Sequence, residues 1–213
     1  MKYSHSKNYF TAEEKSKIEE AIREVENTSM GEVVAMVVDS SDHYPEASVT
    51  GGVFLASLVS LAAAKFFLGA SLWYFIPLQF FLFFPFRFFL DAVPFLKSLF
   101  IGPRSREERV RQRALRAFYE KGLYKTRGNT GVLFFLSLYE RKVWVLADKG
   151  IYEKIQQETI EGFARAVSQG MKEGRGCEAL CKAIRDAGGL LSRHFPLEPG
   201  DTNELPNKVI TEK

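Results

Sequence analysis

The sequence predicts an α/β fold: a small mixed central sheet flanked by helices on both faces, interrupted by a two-helix transmembrane hairpin. Three observations carry that reading. Short β-branched runs of strand length stand at Glu32–Asp39, Thr130–Tyr139 and Lys142–Asp148. Amphipathic helical stripes alternate with them. Between the first strand and the later pair lies a block whose composition belongs to another solvent: 13 of the 19 Phe fall between Phe54 and Phe100.

In chain order, Thr11-Ala12-Glu13-Glu14 reads as a capping box, with Ile18, Ala21, Ile22 and Val25 as the apolar stripe of the helix it opens. Asn27 to Gly31 breaks that helix. The run from Glu32 to Asp39 is apolar throughout, which suits a central strand covered on both faces.

Val49 to Leu68 holds one charge, Lys65, and Leu72 to Leu90 holds Gln79, Arg87, Pro77 and Pro85, with a turn at Gly69-Ala70-Ser71 between them. Each stretch reaches about 30 Å as a helix, the thickness of a bilayer core. Lys65 and Arg87 lie near the ends, where they can snorkel, and Trp73 and Tyr74 suit an interface. A buried hairpin in a soluble protein is the competing reading. A domain this small could not cover so much Phe and Leu. A re-entrant hairpin stays open, because both stretches are short and the second contains prolines.

Arg104 to Lys121 forms the next helix, with Val110, Ala114, Ala117 and Phe118 as its core stripe. Its first part, Arg104 to Arg116, carries six Arg and two Glu. Arg106, Arg109, Arg113 and Arg116 share a helical face and read either as a solvated face or as a contact with anionic lipid. Lys125 to Asn129 is a loop. Thr130–Tyr139 and Lys142–Asp148 make a β-hairpin across Glu140-Arg141. Ile151 to Met171 is helical with a break near Gln157, and Glu173 to His194 is a further helix whose paired Gly188 and Gly189 allow close packing. The polar stretch from Pro196 reads as disordered. The expected organisation is therefore an α/β domain over 1–48 and 97–195, an inserted hairpin over 49–96, and a tail over 196–213.

The formal net charge of +3 is too small to argue for nucleic acid. Cys177 and Cys181, four apart on a helix, are poorly placed to bridge each other and read as small buried side chains. The N-terminal stretch lacks the apolar region and cleavage site of a signal peptide. Because the strands on either side of the hairpin must share one sheet, both ends of the hairpin lie on one side of the membrane. The Arg cluster marks that side as cytoplasmic, which gives an inner-membrane protein with two spans and the α/β domain facing the cytoplasm.

No nucleophile elbow, phosphate-cradling loop, HExxH or paired CxxC is present. One constellation remains. Thr126, Asn129 and Asp148 converge at one end of the hairpin. If the first strand runs parallel to the last, Asp39 and Ser40 reach the same edge, where open α/β sheets bind ligands. Asp39, Asn129 and Asp148, with Ser40, Thr126 and Thr130 lining the pocket, could hold a divalent cation such as calcium. The alternative is that all are ordinary strand-end polar residues.

The run TRGNTGVLFFLSLYERKVWVLADKGI, from Thr126 to Ile151, resembles the central signature of the TPM domain family, and TSMGEVVAMVV and the ending LLSRHFP fit as well. The hydrophobic insertion is similar to that of a bacterial membrane subgroup. The resemblance implies a central sheet with helices on both faces. It also implies that some members are acid phosphatases and some bind metal in an acidic pocket. Their hairpin begins Asp-Asn-Gly, whereas Asn129, Thr130 and Gly131 stand here, so the Asp is missing. The expectation is a membrane-anchored, non-enzymatic module that touches the lipid bilayer, binds a membrane or cytoplasmic protein and takes a divalent cation in membrane-protein maintenance. The alternative is a metal-assisted acid phosphatase using Asp39 and Asp148.

Overall fold

Every residue of the strand Glu32–Val38 (β1) is buried, and that places it inside a sheet covered on both faces. The computed structural model describes residues 6–67, 72–198 and 203–212. Gly131–Ser137 (β2) lies parallel to β1, in register from Glu32 opposite Gly131 to Val38 opposite Ser137. Lys142–Ala147 (β3) returns antiparallel to β2. A last strand, Ile210–Glu212 (β4), runs parallel to β1 on its other side, so the order across the sheet is β3-β2-β1-β4. The tail expected to be disordered from Pro196 is thus ordered over 203–212. Its backbone is tied down: Glu204 and Leu205 donate their amides to the Glu32 carboxylate at 3.0 and 3.3 Å.

The chain divides into two units, 1–42 with 107–213, and 43–106. In the first, Ala12–Glu26 (α1) begins with the expected capping box. Thr11 Oγ1 accepts from the Glu14 amide at 3.2 Å, and the Glu14 carboxylate accepts from the Thr11 amide at 2.8 Å. The helix lays Ile18, Ile22 and Val25 on one sheet face. There they meet Val33, Ala35, Val37, Phe134 and Leu136 from the strands and Leu180, Ile184 and Leu191 from the long C-terminal helix. The opposite face, Val34, Met36, Val38, Leu133 and Phe135, packs on Val110, Ala114, Ala117 and Phe118. Alternate residues of each strand serve opposite cores, as the period of two requires.

The 43–106 unit holds Pro45–Phe67 (α2), Leu72–Ala92 (α3) and the short Pro94–Ser98 (α4). The turn expected at Gly69-Ala70-Ser71 lies outside the described residues. α2 and α3 pack side by side where α2 carries glycine: a Cβ on Gly51 would come within 2.6 Å of Leu90, and one on Gly52 within 3.3 Å of the Arg87 backbone. Ser48 donates to Asp91 at 2.5 Å and Lys97 pairs with the same carboxylate at 2.7 Å. Two stretches, 22 residues from Pro45 to Phe66 and 20 from Trp73 to Ala92, are long and apolar enough to cross a membrane.

Pro103–Glu120 (α5) leads back into the α/β unit. After β3 come Lys149–Tyr152 (α6), Gln157–Lys172 (α7) and Gly176–His194 (α8). The break expected near Gln157 is the gap between α6 and α7. Gly188 does allow close packing, since a Cβ there would lie 2.3 Å from Val25 Cγ2. Cys177 and Cys181 are free and buried, and burial pushes the Cys177 thiol up to about 12.

Candidate functional site

The residues picked out as one pocket fall at two ends of the sheet. β1 runs parallel to β2 and therefore opposite to β3, not with it. The end of β1 and the end of β3 lie apart by the length of a seven-residue strand, about 20 Å. Asp39 and Ser40 thus stand at one end, and Thr126, Asn129, Thr130 and Asp148 at the other. One cation cannot bridge Asp39 and Asp148, because its oxygen ligands must lie within about 2.6 Å of it. Among the described residues no group of three or more His, Cys, Asp or Glu side chains converges as a metal site.

At the Asp148 end the side chains serve the backbone. Thr126 Oγ1 donates to the Leu123 carbonyl at 3.1 Å and accepts from the Thr130 amide at 3.1 Å. The buried Thr130 hydroxyl donates to the Met30 carbonyl at 2.6 Å. Asn129 holds a left-handed backbone, φ 55°, which asparagine tolerates better than most residues. Its carbonyl would lie 2.8 Å from a Cβ on Gly150, so the start of α6 needs a glycine there. Asp148 caps α6, accepting from the Lys149 amide at 2.7 Å. Its Oδ2 is buried without a hydrogen-bond partner among the described residues.

At the other end a carboxylate that sequence reasoning passed over is the hub. Glu140, in the hairpin loop and 6% exposed, accepts from Ser40 Oγ at 3.1 Å, from the Ser41 amide at 3.0 Å and from the Ser137 hydroxyl. Ser41 and Ser137 share a further bond at 2.9 Å. Asp39 accepts from the Ser6 amide, and its own amide donates to the Glu212 carbonyl at 3.2 Å. These bonds knit the end of β1, the hairpin loop and both terminal segments together. A lone Glu in a turn sequence reads as solvated, and its partners Ser40 and Ser41 are about a hundred positions away.

The basic face of α5 is also redistributed. Arg109 pairs with Asp42 at 2.9 Å, and Arg113 pairs with Glu120 at 3.1 Å and Glu212 at 2.5 Å. Arg106 donates to the Ser98 carbonyl, and Arg116 is exposed. Arg109 and Arg113 are therefore held inside the α/β unit rather than presented as part of one lipid-facing row of four.

One concave feature of this unit is a groove of about 750 Å³ along the outer side of β3. Val143 and Val145 of β3 with Ile160 and Ala164 of α7 form one side of it, and Trp144 and Leu146 with Glu107 and Arg111 of α5 form the other. Lys142 and Lys172 also line it, and Tyr152 stands with Gln157 in its lining. Burial holds the Tyr152 phenol above its ordinary value, against the opposing effect of a hydrogen bond from the Ala147 backbone.

A family model described as the TPM domain matches residues 95–190, a stretch running from α4 through β2, β3 and most of α8. Over that stretch the chain matches the TPM domain. The matched stretch contains the hairpin, the Glu140 hub and the groove, whereas β1 and α1 lie outside it. Among solved structures, the chain is similar to the BA42 protein of the psychrophilic bacterium Bizionia argentinensis, determined by NMR. The two are 20% identical, with a TM-score of 0.59 over 96% of this chain and 95% of that one. That likeness concerns the fold. No curated protein matches the chain in sequence.

Proposed function

We propose that this chain is a membrane-anchored TPM module whose α/β unit binds a protein partner at the membrane surface, in the upkeep of membrane proteins. The observation that supports anchoring is the apolar exposure of α2 and α3. Phe66, Trp73 and Phe81 are 74%, 86% and 73% exposed, and Phe54, Leu58, Leu61, Ile76 and Phe88 are exposed with them. Soluble proteins rarely leave apolar patches beyond a few hundred Å² in water. Lipid tails accept such a surface, and helices satisfy their own backbone groups there. The inner membrane, with the α/β unit on the cytoplasmic side, is the reading that the cationic stretch Arg104–Arg116 favours.

The metal-assisted phosphatase reading rests on a two-aspartate site, and the register of β1 with β2 separates those aspartates. Partner binding rests on other ground: a TPM domain with an open groove on its edge strand, held beside a membrane.

Fractionation of cells expressing the full chain tests the anchor. The chain is expected to stay in membranes washed with alkaline carbonate and to need detergent for release. Cysteine labelling near Ser6 is expected only after the membrane is permeabilised. Release by carbonate alone would remove the anchor, and labelling from outside intact cells would reverse the orientation.

A further inference from the structure

Two grips of different chemistry hold the tail from Asn203 to Glu212 on the α/β unit. The far grip fastens β4. The Glu212 carboxylate pairs with Arg113 at 2.5 Å and with Lys121 at 2.7 Å. Its carbonyl accepts from the Asp39 amide at 3.2 Å and from Ser6 Oγ at 2.7 Å. The near grip fastens 203–209 through carboxylates of α1 and β1. Glu32 takes the Glu204 and Leu205 amides at 3.0 and 3.3 Å. Glu26 takes the side-chain amides of Asn203 and Asn207, and Glu19 takes the Val209 amide at 3.3 Å.

The far grip joins opposite charges, whereas the near grip sets like charges side by side. Glu26 accepts from the amide of Val33, the residue after Glu32, at 3.2 Å. Two carboxylates therefore stand together where α1 ends and β1 begins. Burial, and after it the neighbouring Glu32, pushes the Glu26 carboxyl up to about 8. Other charged groups of the surrounding elements are engaged elsewhere or face water. Glu24 pairs with Arg185 of α8 at 2.6 Å, and Glu204 of the tail accepts from the Arg127 amide at 3.0 Å. Arg23 of α1, Arg193 and His194 at the end of α8, and Lys208 of the tail are exposed. An acid that binds its proton more tightly in the latched state favours that state at low pH. The preference shrinks as pH climbs from the ordinary glutamate value toward about 8 and is constant above it.

We propose that residues 203–209 form a proton-controlled strap, latched on the sheet by Glu26 and Glu32 and released as Glu26 loses its proton beside Glu32, while β4 stays paired. β4 is paired with Met36, Val37 and Val38, and the strap lies beside the preceding half of β1. Leu205 is half-buried against the cluster that contains Val34 and Leu133. Release lifts Leu205 from that cluster and bares β1 from Glu32 to Ala35. A strap with few apolar anchors and a three-residue strand behind it belongs to the part of a fold that opens at low cost. The strap thus sets, by the pH around it, how much of β1 the α/β unit presents.

The test is amide hydrogen exchange of the full chain in detergent micelles from about pH 5 to about pH 9, corrected for the intrinsic pH dependence of exchange. Protection at the Glu204 and Leu205 amides is expected to fall at least roughly tenfold as pH climbs to about 8, and to level off above it. The Asp39 amide, bonded to Glu212 in the far grip, is expected to keep its protection throughout. Glu26→Gln keeps an acceptor and removes the titration, so protection of the strap should be flat with pH in that variant. In Glu32→Gln the like charge is gone, and the fall should end at a lower pH than in the wild type. Strap protection that ignores pH, a fall that persists in Glu26→Gln, or loss at Asp39 in step with Leu205 would each overturn the proposal. None of these outcomes touches the anchor, which carbonate extraction tests separately.

Discussion

At the scale of single residues, the carboxylates divide into those that organise the backbone and one that titrates unusually. Glu26, at the end of α1, accepts from the Val33 amide at 3.2 Å and from the side chains of Asn203 and Asn207. Burial, reinforced by the nearby Glu32, pushes its carboxyl up to about 8. A raised folded-state value means that the folded protein holds this proton more tightly than the unfolded chain. The stabilisation is full below the ordinary glutamate value and is lost as pH climbs toward about 8. Thermal melts of the full chain and of Glu26→Gln across that window should show wild-type stability falling relative to the variant as pH rises. Parallel pH curves would contradict the assignment. Little of this was legible beforehand. The Asn203 and Asn207 that hold Glu26 come from a polar tail with no periodic signal. Asp39 and Asp148 were legible as strand-end acids, but their separation depends on which strand β1 runs beside, and residue types do not encode that.

Elements were the most legible scale, for a physical reason. Where a segment buries one stripe or both faces, its period is written in the residues, and so α1, β1, α5, β2, β3 and α8 were all foreseen. The Thr11–Glu14 box marked the start of α1 because a cap needs those residue types at that spacing. α4 and β4 were not foreseen. β4 is three residues long, and pairing with Met36, Val37 and Val38 holds it rather than a pattern of its own. The paired glycines of α8 were noticed, and the structure separates their roles. A Cβ on Gly188 meets Val25, whereas one on Gly189 meets nothing within 4 Å. Gly188→Ala should therefore destabilise the α/β unit by about 1–3 kcal/mol, the usual cost of overpacking. Gly189→Ala should be neutral or slightly stabilising through helix propensity. Chemical denaturation of the two variants in parallel separates these outcomes, and equal effects would contradict the close approach of α1 and α8.

For the whole molecule, the insertion was legible because bilayer-length apolar helices differ so plainly in composition from the charged chain around them. Its compatibility with the α/β unit was not, since that depends on where the two ends of the unit meet. Asp42 and Arg109 form an ion pair at 2.9 Å, so the chain leaves and re-enters this unit at neighbouring points. Both cores draw on residues outside 43–106. The unit should therefore close without the insertion, its ends joined by a short Gly/Ser linker. The most direct measurement is liposome flotation of the full chain beside a chain lacking 43–106. The full chain is predicted to float with the lipid, and the shortened one to remain in the soluble fraction and melt cooperatively. A full chain that stays soluble and folded without lipid or detergent, or a shortened chain that floats equally well, would contradict the account.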